Sequence, residues 1–141
     1  MTEPLGRQRR VARIDDDRAY RPFDRYGQPI PGMAWLNLSY DRATGQGTFV
    51  LRMEPGARSM PHEHTEGEEF LMLDGELVDA DGTVFRAGDY VAFRPGSRHF
   101  SVAPGGCRLI AFMRGPNRPL DADEVEALEA AGSAPAPRTS V

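Results

Sequence analysis

From Met33 to Met113 the chain is a succession of short runs rich in Val, Leu, Phe, Tyr and Thr, and almost every gap between them carries Gly, Pro or Asp. The strand-like runs are Met33 to Tyr40, Thr48 to Met53, Glu69 to Leu73, Glu76 to Val78, Thr83 to Phe85, Tyr90 to Phe93, Phe100 to Val102 and Arg108 to Met113. Each is too short for an independent helix, and none is followed by the long amphipathic stretch that a parallel crossover requires. Short strands at near-regular spacing with turn chemistry between them predict an all-β sandwich or barrel. The polar loop from Asp41 to Gly47 predicts an antiparallel hairpin, Asp74-Gly75 reads as a turn, and Asp81-Gly82 predicts a type I′ hairpin turn.

The flanks read differently. Residues 1–28 alternate Arg with Asp and are weakly periodic, so they read as a charged, solvated arm, with the barrel expected over 29–118 after the punctuation Gln28-Pro29-Ile30-Pro31-Gly32. Asp121 can cap a helix, with Glu124 as its capping-box partner and Gly132 to close it, which predicts a short C-terminal helix within 119–132. Its apolar positions, Val125 and Leu128, are few, so light packing on the barrel or a partner is expected. The Pro/Ala/Ser-rich stretch 133–141 is expected to lack fixed structure.

Composition narrows the function classes. The net charge of −4 gives no long-range attraction for nucleic acid, and no apolar run approaches the roughly 18 residues of a membrane span. The Arg9-Arg10 pair is followed by acidic residues and not by an apolar stretch, so a cytoplasmic location is expected. All cationic side chains are Arg, which excludes a lysine Schiff base. Cys107 is the single cysteine; it cannot form an internal disulfide and is read as a small buried apolar residue.

Of the three histidines, His62 and His64 stand two residues apart in an extended, Pro-bounded segment. Side chains alternate along a strand, so both imidazoles project from one face, with Cα atoms roughly 6.6–6.8 Å apart. Glu68 shares their parity if the intervening Thr65-Glu66-Gly67 bends without changing face, and the turn Arg94-Pro95-Gly96-Ser97-Arg98 could swing His99 in from another strand. Imidazole suits Zn, Fe, Cu and Ni, and a carboxylate adds a hard anionic donor. Four such ligands on a six-coordinate ion leave two adjacent positions for water, oxygen or a chelating substrate.

These residues resemble the two motifs of the cupin superfamily. Gly56 is followed by five residues to His62, then His64, three residues to Glu68 and six to Gly75, which meets every spacing of the first motif. In the second, Gly88, Gly96 and His99 fall in register, with Arg94 where Pro belongs and Ala103 where Asn belongs. The run Gly67 to Glu76, with Asp79, Pro95 to His99 and Gly106-Cys107, is similar to the ChrR-like branch, which includes zinc-binding anti-sigma-factor domains and iron dioxygenases resembling 2,4′-dihydroxyacetophenone dioxygenase. The resemblance, over residues 30–115, implies a single cupin jelly-roll β-barrel. It also implies one divalent transition metal per chain (Fe, Zn, Mn or Ni) on His62, His64, Glu68 and His99, and, by analogy with other single barrels, a homodimer.

Parity places Phe70 and Met72 on the ligands' side as candidate walls of a substrate pocket, and turns Glu69 away from it. Arg52, Arg58, Arg94 and Arg98 could meet an anionic substrate at the barrel mouth or simply border solvent. Three functions follow. The first is a non-haem metal dioxygenase or related oxidoreductase acting on a small phenolic or dicarbonyl compound. The second is a non-catalytic zinc-binding domain that senses a small ligand. An anti-sigma role is disfavoured, because residues 1–28 hold neither His nor Cys. The third is a metal-dependent isomerase or epimerase, for which Glu66 or Tyr90 would be wanted as the proton-transfer group.

Overall fold

The computed structural model describes residues 2–131. A single helical turn, α1 (Leu5–Gln8), precedes twelve strands. The first six are β1 (Arg21–Pro22), β2 (Met33–Asn37), β3 (Gln46–Met53), β4 (Ala57–Arg58), β5 (His62–His64) and β6 (Glu68–Asp79). Then come β7 (Val84–Arg86), β8 (Tyr90–Phe93), β9 (Ser97–His99), β10 (Ser101–Ala103), β11 (Cys107–Arg114) and β12 (Asn117–Pro119), and α2 (Ala122–Ala130) ends the described chain. The fold is all-β with one short C-terminal helix, as the strand pattern predicts.

A curled sheet runs β1-β2-β3-β11-β6-β10-β4, with β7 and β8 also paired to β6, and a smaller sheet runs β12-β5-β9. All these pairings are antiparallel. Neighbours such as β3 and β11, or β5 and β9, are distant in sequence, the crossing pattern of a jelly roll. Period-two alternation sets the inner face: Cys107, Leu109, Ala111 and Met113 of β11 are buried while Phe112 and Arg114 are exposed. Phe23, Trp35, Tyr40 and Phe49 pack edge-on or tilted at one end of the core, with centroids 4.9–6.0 Å apart. Fully burying one such ring stabilises the fold by about 1.5–3 kcal/mol.

Asp74-Gly75 is not a turn. Residues 68–79 form one strand whose first half pairs with β8 and β11 and whose end pairs with β7 and β10. Gly75 has φ +73° and sits beside a register shift in the β6–β11 pairing. It is the bend by which one strand passes from one part of the sheet to another. A Cβ there would lie 2.1 Å from the Gly106 carbonyl oxygen, so glycine is required for close approach as well as for φ.

The hairpin at Asp81-Gly82 forms with a different turn from the one predicted. No non-glycine described residue has positive φ, so Asp81 cannot occupy a type I′ position. Gly82 N donates to Asp79 O and Asp79 N to Thr83 O, a three-residue loop in which Gly82 alone is left-handed.

The N-terminal segment also departs from expectation. Residues up to Arg13 are exposed, but Tyr20 and Phe23 are buried, β1 pairs with β2, and Phe23 belongs to the main core. Tyr20, Phe23 and Tyr26 recur every third residue, and the Arg/Asp alternation around them conceals an apolar strip that covers the barrel end.

Helix α2 carries the expected Asp121–Glu124 capping box but buries no side chain. It is held by ion pairs: Glu124 meets Arg98 and Arg118, and both arginines meet Glu63 on the outer face of the small sheet. Gly132 and the 133–141 stretch lie outside the described residues.

Candidate metal centre

Register delivers the four residues to one point. In the small sheet His62 is the cross-strand partner of His99, and His64 lies between Ser97 of β9 and Asn117 of β12. Directly opposed side chains share a face, so His62, His64 and His99 all point inward while Glu63 and Arg98 point out. The turn that returns β9 is closed by Ser97 N and Oγ donating to Arg94 O, with Gly96 at φ +87°. Arg94 in place of Pro therefore costs this turn none of its hydrogen bonds. Ala103, in place of Asn, is a fully buried strand residue opposite Ala57. Glu68, first residue of β6, faces the histidines from the larger sheet.

Ligand atoms of His62, His64, Glu68 and His99 all lie within 4.8 Å of one another, and all four residues are buried. The Nε2 atoms of His64 and His99 are 2.9 Å apart, and those of His99 and His62 are 3.1 Å apart. A Glu68 Oε2 lies 3.0 Å from His64 Nδ1. Two nitrogens bound at about 2.1 Å to one ion are about 3.0 Å apart at a right angle and about 3.4 Å apart at the tetrahedral angle. Both observed spacings match the right-angled case of six-coordination better than the tetrahedral one.

Each imidazole is oriented from behind. His62 Nδ1 donates to Met60 O (2.6 Å), His64 Nδ1 to Asn117 Oδ1 (3.1 Å), and His99 Nδ1 to Asp79 Oδ1 (2.7 Å). With Nδ1 committed as donor, Nε2 of each neutral ring presents a lone pair to the common point. Phe93 backs the cluster, stacked on His64 at 4.8 Å and tilted against His99 at 4.3 Å. Burial, reinforced by the neighbouring imidazoles, holds His62 well below its ordinary value and His64 down at about 3. Burial pushes the Glu68 carboxyl up. Lone pairs facing each other at about 3 Å among rings that resist protonation form a donor set that fits a bound cation, which would also restore the charge on Glu68. These residues could hold one divalent transition ion.

The centre opens onto a cavity of about 60 Å³. His62, Glu68 and His99 reach it, and Phe23, Phe49, Leu51, Phe70, Arg25, Tyr26 and Asn117 are among its walls. Phe70, expected as a pocket wall, is there. Met72 is not among the lining residues; it is 1% exposed and packs in the core. Glu69 faces outward, as parity requires, and meets Tyr90 and Arg114. Tyr90, the suggested proton-transfer group, is exposed on that outer side. Of the four arginines suggested for the mouth, Arg98 is tied to Glu63 and Glu124, Arg52 to Asp17, and Arg58 sits over the Phe100 ring. None of the four lines the cavity; Arg25 does.

Residues 10–116 match the ChrR cupin-like domain. The chain belongs to the ChrR cupin-like domain family. Among curated proteins, none matches the sequence. Similar solved structures include an acetylacetone dioxygenase from Acinetobacter johnsonii, 19% identical, with TM-score 0.67 over 89% of this chain and 93% of that one. A polyketide cyclase from Streptomyces resistomycificus, 19% identical, aligns with TM-score 0.62 over 89% of this chain and 99% of its own. A cupin-superfamily sugar phosphate isomerase from Silicibacter pomeroyi is 30% identical, with TM-score 0.53 over 67% of this cupin and 69% of its own length. Among the described residues no helix is long and apolar enough to cross a membrane.

Asn117, Tyr26 and Arg25 escape sequence reasoning. Asn117 follows a Gly-Pro pair and reads as loop; only its register opposite His64 reveals its part. Tyr26 and Arg25 lie in the segment read as a solvated arm. Its three-residue aromatic spacing was the available signal.

Proposed function

We propose that this cupin binds one divalent transition metal through His62, His64, Glu68 and His99 and acts as a small-molecule enzyme of the non-haem dioxygenase type on an oxygenated, phenolic or dicarbonyl substrate. The observation that carries the reading is the right-angled spacing of the imidazole Nε2 atoms beside an apolar cavity. Right-angled imidazole donors with Glu68 beside them suit six-coordination, in which four protein ligands leave two positions open, where a closed tetrahedral zinc site would leave none. The ion, when bound, would serve as Lewis acid and template. The chain's own residues do the rest: Phe70, Phe49 and Leu51 exclude water from the apolar end. Tyr26 accepts from Asn117 Nδ2 (3.3 Å), which leaves its hydroxyl hydrogen to donate. A likeness to an acetylacetone dioxygenase in fold agrees with this class.

Fe, Zn, Mn and Ni all suit the donor set, and a zinc-loaded sensor is the competing reading. Tag-free protein loaded with each metal, checked by elemental analysis, is to be assayed for oxygen uptake with a panel of diketones and hydroxyketones. Uptake dependent on iron and lost on His99→Ala is expected; turnover with no metal in the panel would remove the enzyme reading. Assembly as a homodimer in the cytoplasm belongs to the same proposal, the exposed Leu5 and Val11 of the N-terminal segment offering apolar contact.

A further inference from the structure

Among the described residues Arg25 is the one cationic side chain lining the cavity beside the histidines, and it is only partly satisfied. Its Nε donates to Tyr40 Oη (3.0 Å) and its Nη1 approaches Met113 Sδ (3.8 Å). The guanidinium carbon lies 5.0 Å from the Tyr40 ring centroid, 5.8 Å from that of Phe49 and 5.9 Å from that of Tyr26. Three rings and one hydroxyl thus fix the plane of the group. Nη2 is buried and has no hydrogen-bond partner.

A desolvated guanidinium edge without an acceptor is costly unless something pairs with it. Among the described residues Glu68 is the one carboxylate on the cavity wall, and a cation at the histidine cluster would take up its charge. With Glu68 so engaged, the cavity holds an excess of positive charge and is lined by a guanidinium whose Nη2 amino group has no acceptor. The remaining walls near Arg25 are apolar: Phe23, Phe49, Leu51 and Phe70. The volume of about 60 Å³ suits a short chain.

We propose that this cavity binds a small monocarboxylate with an apolar body, its carboxylate drawn to the Arg25 guanidinium that lines the cavity and its chain against the apolar walls. The inference deepens the functional reading above and rests on it in one respect, that the occupant is the substrate of the metal centre. It narrows the substrate class to oxygenated compounds that carry a carboxylate. Arg25 is then a binding residue, and the aromatic rings around it set its direction.

The test is calorimetric titration of tag-free protein, zinc-loaded and metal-free, with butyrate and with its neutral isostere butyramide. Wild type should favour butyrate by about tenfold or more, the worth of one charge-assisted hydrogen bond. Arg25→Gln should lose that preference, with butyrate affinity falling more than butyramide affinity and zinc still bound one per chain. Arg25→Met, which keeps the contact with the rings, carries the same expectation and replaces the Gln variant should that one fail to fold by circular dichroism. No preference in wild type, or a preference that survives in the Arg25 variants because the metal alone draws the carboxylate, overturns the proposal. If instead the protein takes up no zinc while the metal-free form still favours butyrate through Arg25, the metal reading fails and the carboxylate site stands.

Discussion

Asp79→Asn is the substitution that most sharply separates an orienting partner from a ligand. Asp79 Oδ1 accepts from His99 Nδ1 at 2.7 Å, with both side chains about one-tenth exposed. The same oxygen accepts from Ala80 N, and the hairpin around it is closed by backbone bonds of Asp79 that the substitution leaves alone. Asn keeps the size and an acceptor oxygen but removes the charge that raises the basicity of His99 toward a cation. Loss of such a partner typically costs 10–100-fold in metal affinity, or about 1.4–2.7 kcal/mol. The short, shielded, charge-assisted bond places Asp79→Asn toward the upper end. The bond from His64 to Asn117 is neutral and longer, at 3.1 Å, so Asn117→Ala belongs at or below about tenfold. Competition of zinc with a chromophoric chelator measures both. The reasoning is refuted if the two variants bind zinc equally, or if Asp79→Asn binds as tightly as wild type while the melting temperature is unchanged.

Gly75→Ala meets both a left-handed φ and a carbonyl oxygen 2.1 Å from the new Cβ, so a loss of at least about 2 kcal/mol is expected in thermal or urea unfolding; an unchanged midpoint would show that the bend at β6 relaxes freely. Metal-free protein should lose stability as pH falls. His62 and His64 stay neutral when folded but take up protons near about 6.5 when unfolded, so each favours the unfolded chain by about 1.4 kcal/mol per unit below that pH, for His64 until the folded value of about 3 is approached. The full contribution is present above about pH 6.5. Glu68, whose carboxyl is raised, works in the opposite sense but is one group against two; urea melts at pH 7.5, 6 and 5 that show flat or rising stability would contradict the assignment. Cys107, buried and with its thiol pushed up to about 12, should resist a thiol reagent in the native state and react on unfolding.

What could be read in advance, and what could not, divides along a physical line. Strand composition, glycine spacing and two-residue alternation are local, so the all-β fold, the shared face of His62 and His64 and the outward turn of Glu69 were legible. Pairing is not local. Asn117 reaches His64 across 53 positions and Asp79 reaches His99 across 20, and nothing in either neighbourhood announces the contact. Gly75 misleads because a hairpin turn and a bend within a strand both call for glycine with positive φ. Tyr20 to Tyr26 mislead because their charged neighbours dominate the composition while three aromatic rings carry the packing. Of the four arginines expected at the mouth none lines the cavity, and Arg98 is held on the outer face by its cross-strand partner Glu63.

X-ray absorption at the metal edge of tag-free, singly loaded protein bears most directly on whether one ion is gathered by these side chains. Three imidazole nitrogens and a carboxylate oxygen at about 2.0–2.2 Å, with further light-atom scattering from solvent, are expected. A first shell with fewer than two imidazoles, or one containing sulfur, would contradict the arrangement of His62, His64, Glu68 and His99 around a common centre.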